Sequence, residues 1–192
     1  MKNKNLNKFS NDDGLRYLPG DLDLKEKIQR IIRVNQAGEY GAKRIYAGQL
    51  AVLRKKPISK ELVEMAEQEE KHLNSFNKLM IERKIRPTAL QPLWHFAGYA
   101  LGMGTALMGE KAAMACTVAV EEAIDEHYEN QSHSLGNNEP EIKKIITEAR
   151  EDEIKHLEKA EDHGGKEDKI HLPLRLAIKK GTKIAIWLSE RI

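Results

Sequence analysis

One arrangement of glutamate and histidine occurs twice in this chain and restricts how the chain can fold. Each copy has a lone glutamate and, 30 or 32 residues later, a Glu-x-x-His pair. The first copy consists of Glu39, Glu69 and His72, and the second of Glu121, Glu153 and His156. These positions continue apolar stripes of helical period, so helices that carry them turn them towards a core. Because a buried, unpaired carboxylate costs several kcal/mol, such a fold needs something that neutralises four of them.

Apolar residues of helical period predict six helices and no strand. The expected helices span residues 24–54, 59–83, 93–109, 112–133, 139–162 and 173–190. Pro57 and Gly136 interrupt the pattern between the first two helices and between the fourth and fifth. The short connections indicate antiparallel pairs, so the first, second, fourth and fifth helices form a four-helix bundle with two additional helices. We expect a flexible polar arm over residues 1–17 and a single domain over 18–192.

Two local features add to this prediction. Residues 18–21 (LPGD) are expected to form a turn before the first helix. In the third helix, Gly98, Gly102 and Gly104 are expected to allow close approach of a neighbouring helix.

Composition and charge exclude several classes of protein. The net charge is +2 and no run of lysine and arginine is interleaved with aromatic residues, which argues against nucleic-acid binding. The single cysteine, Cys116, lies in an apolar run, so it is expected in the core and no disulfide framework is available. The first 14 residues contain no apolar stretch and are not expected to act as a secretory signal.

The duplicated residues match a two-metal site in both charge and spacing. Two divalent cations bring four positive charges to four carboxylates, and four carboxylates with two imidazoles are the ligand set of di-iron or di-manganese bundles. Residues three apart on a helix lie on one face, so each Glu-x-x-His pair can hold one metal. Carboxylates and imidazoles suit iron or manganese, whereas a structural zinc site favours thiolates.

Two alternatives remain open at this point. A single Glu-x-x-His could be a pair at the solvent edge of a helix, but its duplication on apolar stripes favours a metal site. In the fourth helix, either Glu121 or Glu122 could point inward. Tyr46 follows Glu39 by seven residues and Tyr128 follows Glu121 by seven, which favours Glu121 and leaves Glu122 as an outer polar residue or a hydrogen-bond acceptor behind the ligands.

At these residues the chain resembles the demethoxyubiquinone hydroxylase family of ubiquinone biosynthesis, a branch of the ferritin-like di-iron proteins. The resemblance extends from about Leu18 to the end of the chain. It rests on residues 33–42 (RVNQAGEYGA), 68–73 (QEEKHL), 86–94 (RPTALQPLW), 113–122 (AMACTVAVEE) and 188–191 (LSER).

The resemblance implies a fold, a site and a reaction. The fold would be a ferritin-like bundle, and the six duplicated residues would bind two iron ions per chain, as Fe2+ in the O2-reactive state. Glu69 and Glu153 would be the bridging carboxylates. The reaction would be hydroxylation of the ring of a polyprenyl demethoxyubiquinol with O2, a late step of ubiquinone biosynthesis. His127 and Tyr128 are candidates for proton or electron delivery, with a packed tyrosine and a hydrogen-bonded core histidine as the alternative.

A polyprenyl quinol substrate lies in a bilayer, so we expect a membrane-facing surface. Residues 93–109 are apolar and uncharged but slightly short for a spanning helix. The last helix combines apolar residues with Arg175, Lys179, Lys180 and Lys183, which suits an interfacial helix on anionic lipid; a buried helix and a capping helix are the alternatives. We expect a peripheral protein at the cytoplasmic face of a bacterial inner membrane, or at the matrix face of the mitochondrial inner membrane. Partners from ubiquinone biosynthesis and a homo-oligomer are left open.

Three other functions compete with the hydroxylase. A quinol oxidase of the alternative-oxidase type has similar ligands but reduces O2 to water. A ferritin-like iron store would have polar outer helices, whereas the third helix here is apolar. A lipid-binding scaffold would carry a vestigial site that binds no iron.

Overall fold

The computed structural model describes residues 22–136, 138–166 and 169–192, and within these ranges it is helical with no strand. The helices are α1 (Leu24–Leu53), α2 (Ser59–Arg83), α3 (Gln91–Leu107), α4 (Glu110–Leu135), α5 (Pro140–Asp162) and α6 (Leu172–Arg191), with one 3-10 turn at Lys169–His171. The prediction of an all-α bundle is confirmed, and no helix end differs from its expected position by more than two residues. The 1–17 arm and the turn expected at residues 18–21 lie outside the described residues.

Local signals in the sequence set the helix ends. Asp23 accepts a hydrogen bond from the backbone N–H of Glu26 at 2.7 Å, and the Glu26 side chain accepts one from the backbone of Asp23, so α1 begins with a capping box. Gly136 follows α4 with a φ of +56°, a conformation that glycine adopts easily. Pro140 then begins α5, where its fixed φ suits the first helical turn.

Two antiparallel hairpins form the bundle, and the other two helices pack outside it. The first hairpin is α1–α2 and the second is α4–α5, and they pack through α1–α4 and α2–α5 contacts. Helix α3 lies along α1, while α6 lies against α4 and α1. The structure therefore brings together the four helices on which the duplicated residues were expected.

Glycines allow α1 and α3 to approach closely. A Cβ atom at Gly102 would lie 1.9 Å from the carbonyl oxygen of Ile45, and one at Gly98 would lie 2.9 Å from that of Gly41. The prediction that Gly98 and Gly102 permit close helix approach is confirmed. Gly104 was expected to act in the same way, but a Cβ there would meet nothing within 4 Å. That expectation was wrong because Gly104 lies two residues beyond Gly102, about 200° further around the helix, and so on a different face of α3.

Ion pairs and hydrogen bonds hold α6 in place. Lys179 contacts both Glu122 and Glu126 of α4, at 2.9 and 2.8 Å. Arg175 and Lys183 add pairs to the same two glutamates. At the other end, the indole N–H of Trp94 donates to Ser189 Oγ at 2.9 Å, and the Thr88 hydroxyl donates to the carbonyl of Ile192. Helix α6 is thus tied to α4 along its length and to the start of α3.

Two apolar clusters fill the bundle on either side of its middle. The larger cluster contains Ile28, Ile32, Phe76, Leu79, Ile142 and Ile146, among others. The smaller contains Leu53, Leu62, Met65, Met114, Val118 and Ala160, among others. Glu39 comes between Ile32 and Leu53 along α1, and Glu153 between Ile146 and Ala160 along α5. The carboxylates therefore form a polar layer between two apolar ones.

Candidate metal centre

The structure brings all six duplicated residues together in the polar layer. They form two overlapping groups, one of Glu39, Glu69, His72 and Glu153 and one of Glu69, Glu121, Glu153 and His156. Within each group, one potential ligand atom per residue lies within 4.8 Å of the others. Glu69 and Glu153 belong to both groups, which is the position that a bridging carboxylate requires.

These side chains are buried and leave many polar atoms without hydrogen bonds. Glu69 and His156 are fully buried, and Glu39, Glu121 and Glu153 are at most 2% exposed. The atoms without a hydrogen bond are Oε2 of Glu39, both carboxylate oxygens of Glu69 and Glu153, Oε2 of Glu121, and Nδ1 of His72 and His156. Buried polar atoms are nearly always partnered in proteins, so eight such atoms converging on one point fit metal ions as their partners.

Each imidazole is oriented by a residue of the opposite hairpin. Nε2 of His156 donates to Oε1 of Gln68 at 2.8 Å, and Nε2 of His72 donates to Asp152 at 3.2 Å. Because both partners can only accept there, Nε2 carries a proton, and Nδ1 is the nitrogen that remains to bind a metal. Nδ1 of His156 lies 3.2 Å from Glu69, inside the cluster. This is how metal-binding histidines are commonly held, with the other nitrogen bound to an acceptor behind them.

Two tyrosines also donate hydrogen bonds from one hairpin to a glutamate of the other. The Tyr46 hydroxyl donates to Oε1 of Glu121 at 2.7 Å, and the Tyr128 hydroxyl donates to Oε1 of Glu39. Each tyrosine therefore holds the lone glutamate of the other copy. Sequence reasoning singled out Tyr128 but missed Tyr46 as a site residue, although the shared spacing of seven was a signal for both.

The side chains compete for protons at this centre. Burial, followed by the charge of Glu153, raises the pKa of both Glu69 and Glu121 well above its usual range. Burial also opposes ionisation of Glu153, but the rings of His156 and His72, which face its carboxylate through Nδ1, outweigh burial and lower the pKa of Glu153 to about 2. Metal binding requires deprotonated ligands, so cations at this centre would replace protons.

Two neighbouring residues lie outside the cluster. His127 contacts Gln131 at 2.7 Å through Nε2, and burial lowers its pKa to about 4, so the ring is neutral at pH 7. Glu122 points away from the polar layer and pairs with Arg175 and Lys179. In α4 the inward glutamate is therefore Glu121, and Glu122 is the outer polar residue.

An apolar cavity of about 420 Å³ lies beside the centre, between α1, α3, α4 and α6. Its walls include Gly38 and Ala42 of α1, Trp94 of α3, and Val120 and Ile124 of α4. Gly38 directly precedes Glu39, and Val120 directly precedes Glu121. The same stretches of α1 and α4 thus supply both the cavity wall and two of the inward carboxylates.

Comparison with known proteins agrees with this arrangement. The family model described as ubiquinone biosynthesis protein COQ7 matches residues 26–189, which contain all six clustered residues. The chain belongs to this family.

Curated members of the COQ7 family match over most of their length. A 3-demethoxyubiquinol 3-hydroxylase from Rhodospirillum rubrum is 51% identical over 91% of this chain and 83% of its own. The human NADPH-dependent 3-demethoxyubiquinone 3-hydroxylase, mitochondrial, is 41% identical over 98% of this chain and 91% of its own. The 5-demethoxyubiquinone hydroxylase, mitochondrial, of Saccharomyces cerevisiae is 40% identical over 86% and 78%.

Proposed function

We propose that this protein is an oxidoreductase that hydroxylates the ring of a demethoxyubiquinol with O2, a late step of ubiquinone biosynthesis. The observation that carries the proposal is the convergence of four buried carboxylates and two imidazoles beside an apolar cavity. Membership of the COQ7 family and the names of its curated relatives support it. One oxygen atom enters the ring, and the other leaves as water with two electrons and two protons from a reductant.

The donor set fits two iron ions, held by Glu39 and His72 on one side and Glu121 and His156 on the other. Glu69 and Glu153 would bridge them, since both belong to the two groups of potential ligands. Reduced iron in this setting supplies the O2 activation that side chains alone do not provide. Four carboxylates and two neutral imidazoles also suit manganese, and we propose iron on the grounds of the reaction.

The protein's own residues orient the ligands and exclude water. Gln68 and Asp152 fix the imidazole rings, and Tyr46 and Tyr128 each leave one oxygen of a lone glutamate free to bind metal. The apolar clusters on both sides of the polar layer keep bulk water from the reacting atoms. We propose Tyr128 as a residue that holds a proton at Glu39. The neutral ring of His127 is hydrogen-bonded to Gln131 instead.

The apolar cavity is the proposed site of the quinol ring. It is of the size typical of small-molecule pockets and its lining is apolar, as a substituted benzoquinol requires. The cavity also lies between α3 and α6, and both helices expose large apolar side chains on their outer faces. These are Leu93, Phe96 and Leu107 on α3, and Leu176, Ile184 and Trp187 on α6. A polyprenyl tail leaving the cavity would therefore meet apolar surface.

We further propose that α3 and α6 rest on a membrane, at the cytoplasmic face of a bacterial inner membrane. None of the helices in the described ranges is long and apolar enough to cross a bilayer. The cations Arg175, Lys179 and Lys183 are paired with α4 glutamates, so apolar contact rather than charge would provide most of the attraction. Phe96→Asp should reduce flotation with liposomes, whereas Ile81→Asp, on α2 and equally exposed, should not.

The hydroxylase assay starts from protein loaded anaerobically with Fe2+. Addition of reductant, O2 and a demethoxyubiquinol should give a product heavier by one oxygen atom, and with 18O2 the label should appear in that product. Glu69→Gln should abolish product, while Glu70→Gln, its partly exposed neighbour, should retain it. O2 consumption without a hydroxylated product would instead favour a quinol oxidase, and less than one bound iron per chain after loading would favour a scaffold.

A further inference from the structure

Seven glycines lie inside helices of the described chain, and their surroundings divide them into two classes. Glycine is less stable than alanine within a helix, so each of these positions needs a reason. The seven are Gly38, Gly41, Gly48, Gly98, Gly102, Gly104 and Gly181. Close backbone contact between α1 and α3 explains Gly48, Gly98 and Gly102, where a Cβ atom would lie 1.9–2.9 Å from a carbonyl oxygen.

The other four glycines have no such contact. A Cβ atom at Gly38, Gly41, Gly104 or Gly181 would meet nothing within 4 Å. Packing within the fold therefore does not require glycine at any of these four positions. An alanine there would be expected to stabilise the helix, because it reduces the conformational freedom of the unfolded chain.

Three of these four glycines line the apolar cavity. Gly38 and Gly41 form part of its α1 wall, and Gly181 forms part of its α6 wall, whereas Gly104 is not part of the lining. The space above the three glycines is therefore the space of the cavity itself. A methyl group at any of them would project into it.

The α1 glycines place the apolar cavity next to the proposed metal centre. Gly38 is adjacent in the chain to Glu39, and Gly41 lies three residues beyond Gly38 on the same helical face. Without a Cβ atom, a flat ring can lie directly against the backbone of α1 at the turn that carries Glu39. A branched or bulky group needs no such flat wall, so the geometry favours the ring rather than the prenyl tail at this point.

We propose that Gly38, Gly41 and Gly181 determine the fit of the quinol ring, and that they do so at the expense of helix stability. The inference rests on the proposed hydroxylase function, since that function supplies the occupant of the cavity. The three glycines touch substrate and leave the metal ligands unaltered. Their replacement should therefore weaken substrate binding without removing iron.

Alanine variants separate this role from a structural one. Gly38→Ala, Gly41→Ala and Gly181→Ala should each raise Tm by about 2–4 °C. The same variants should lower kcat/KM for the demethoxyubiquinol roughly tenfold or more, mainly through KM, because one methyl group in a fitted pocket has an effect of that size. Iron content should equal that of the wild type. Gly104→Ala is the matched control, with the same rise in Tm and unchanged kinetics.

A binding measurement gives a second readout without turnover. Trp94 lines the cavity, and in a Trp187→Phe background it is the remaining tryptophan of the chain. A short-chain demethoxyubiquinone should quench its fluorescence, with a Kd at least tenfold weaker in the cavity variants than in Gly104→Ala.

Two results would overturn the inference. The first is wild-type kcat/KM and Kd in all three cavity variants while the wild type turns over normally, which leaves the hydroxylase function intact. The second is a lower Tm in these variants, which would mean that the glycines serve packing. If the wild type itself forms no hydroxylated product, the proposed function fails, and the inference fails with it.

Discussion

Replacement of Gln68 tests how the protein orients the ligands of its proposed metal centre. The Gln68 side chain is the acceptor for Nε2–H of His156, and His156 is fully buried. In Gln68→Leu that N–H, on a ring with no exposed surface, loses its partner, and the leucine side chain offers no acceptor in its place. An unsatisfied buried donor costs about 1–3 kcal/mol, and loss of a group that orients a metal ligand lowers metal affinity about 10–100-fold. The two ranges agree, since tenfold corresponds to about 1.4 kcal/mol.

The second hairpin offers an internal comparison. Asp152 accepts the hydrogen bond from Nε2–H of His72, but the His72 side chain is 11% exposed and Asp152 itself is partly exposed. Water can therefore accept the proton of His72 in Asp152→Leu, so the loss of affinity should be smaller than in Gln68→Leu. Gln68→Glu keeps an acceptor and should recover most of the affinity, and Glu67→Gln, an exposed neighbour, should behave as the wild type.

The assay is an anaerobic titration of Fe2+, or of Co2+ as a spectroscopic substitute, in competition with a chelator. Melting temperatures of the metal-free variants show whether any loss of affinity reflects unfolding. Equal affinities for Gln68→Leu, Asp152→Leu and the wild type, within a factor of two, would refute the assigned orientation of both histidines.

Three further predictions follow from the packing and the charges. Gly102→Ala should destabilise the protein by on the order of 3 kcal/mol in chemical denaturation, because its Cβ would lie 1.9 Å from the Ile45 carbonyl oxygen and α3 must move away from α1. An unchanged unfolding midpoint would contradict this contact. Burial holds the pKa of His127 at about 4, below its value of about 6.5 in the unfolded chain. The folded protein therefore keeps its full stability above pH 6.5, and loses stability as pH falls towards 4 because the unfolded chain binds the proton first. Between these pH values, the free energy of unfolding of the metal-free wild type should fall by on the order of 3 kcal/mol more than that of metal-free His127→Gln. Parallel stability profiles of the two proteins would argue against a buried neutral ring. Metal loading should release protons to a dilute indicator, because the pKa values of Glu69 and Glu121 are raised and their protons must leave; loading without acidification would contradict those shifts.

The helices could be predicted from the sequence because their signals are local. Pro57, Gly136 and Pro140 mark helix ends within a few residues of where they act, and the apolar stripes identify the buried faces. The convergence of the six clustered residues could also be predicted, since the duplication gives both copies the same depth in their hairpins. These properties depend on spacing along one helix or one hairpin.

Contacts between hairpins could not be predicted in the same way. The Gln68–His156 and Tyr46–Glu121 hydrogen bonds depend on how far one hairpin is shifted along the other, which no local pattern encodes. The cavity depends on four helices at once. Gly104 is a different case. Gly98 and Gly102 are four residues apart and share one face of α3, whereas Gly104 lies two residues beyond Gly102 on another face, so the helical period alone separates it from them.

The hydrogen bonds that join the two copies of the repeat bear on how this fold could have evolved. Every orienting contact to a ligand from Gln68, Asp152, Tyr46 or Tyr128 reaches into the other copy of the repeat. Neither copy alone could shape its own ligands, whereas two identical copies placed face to face could supply one another. An ancestral single hairpin would thus have worked as a symmetric pair of chains, and present-day fragments cut between α2 and α4 should regain metal binding when mixed.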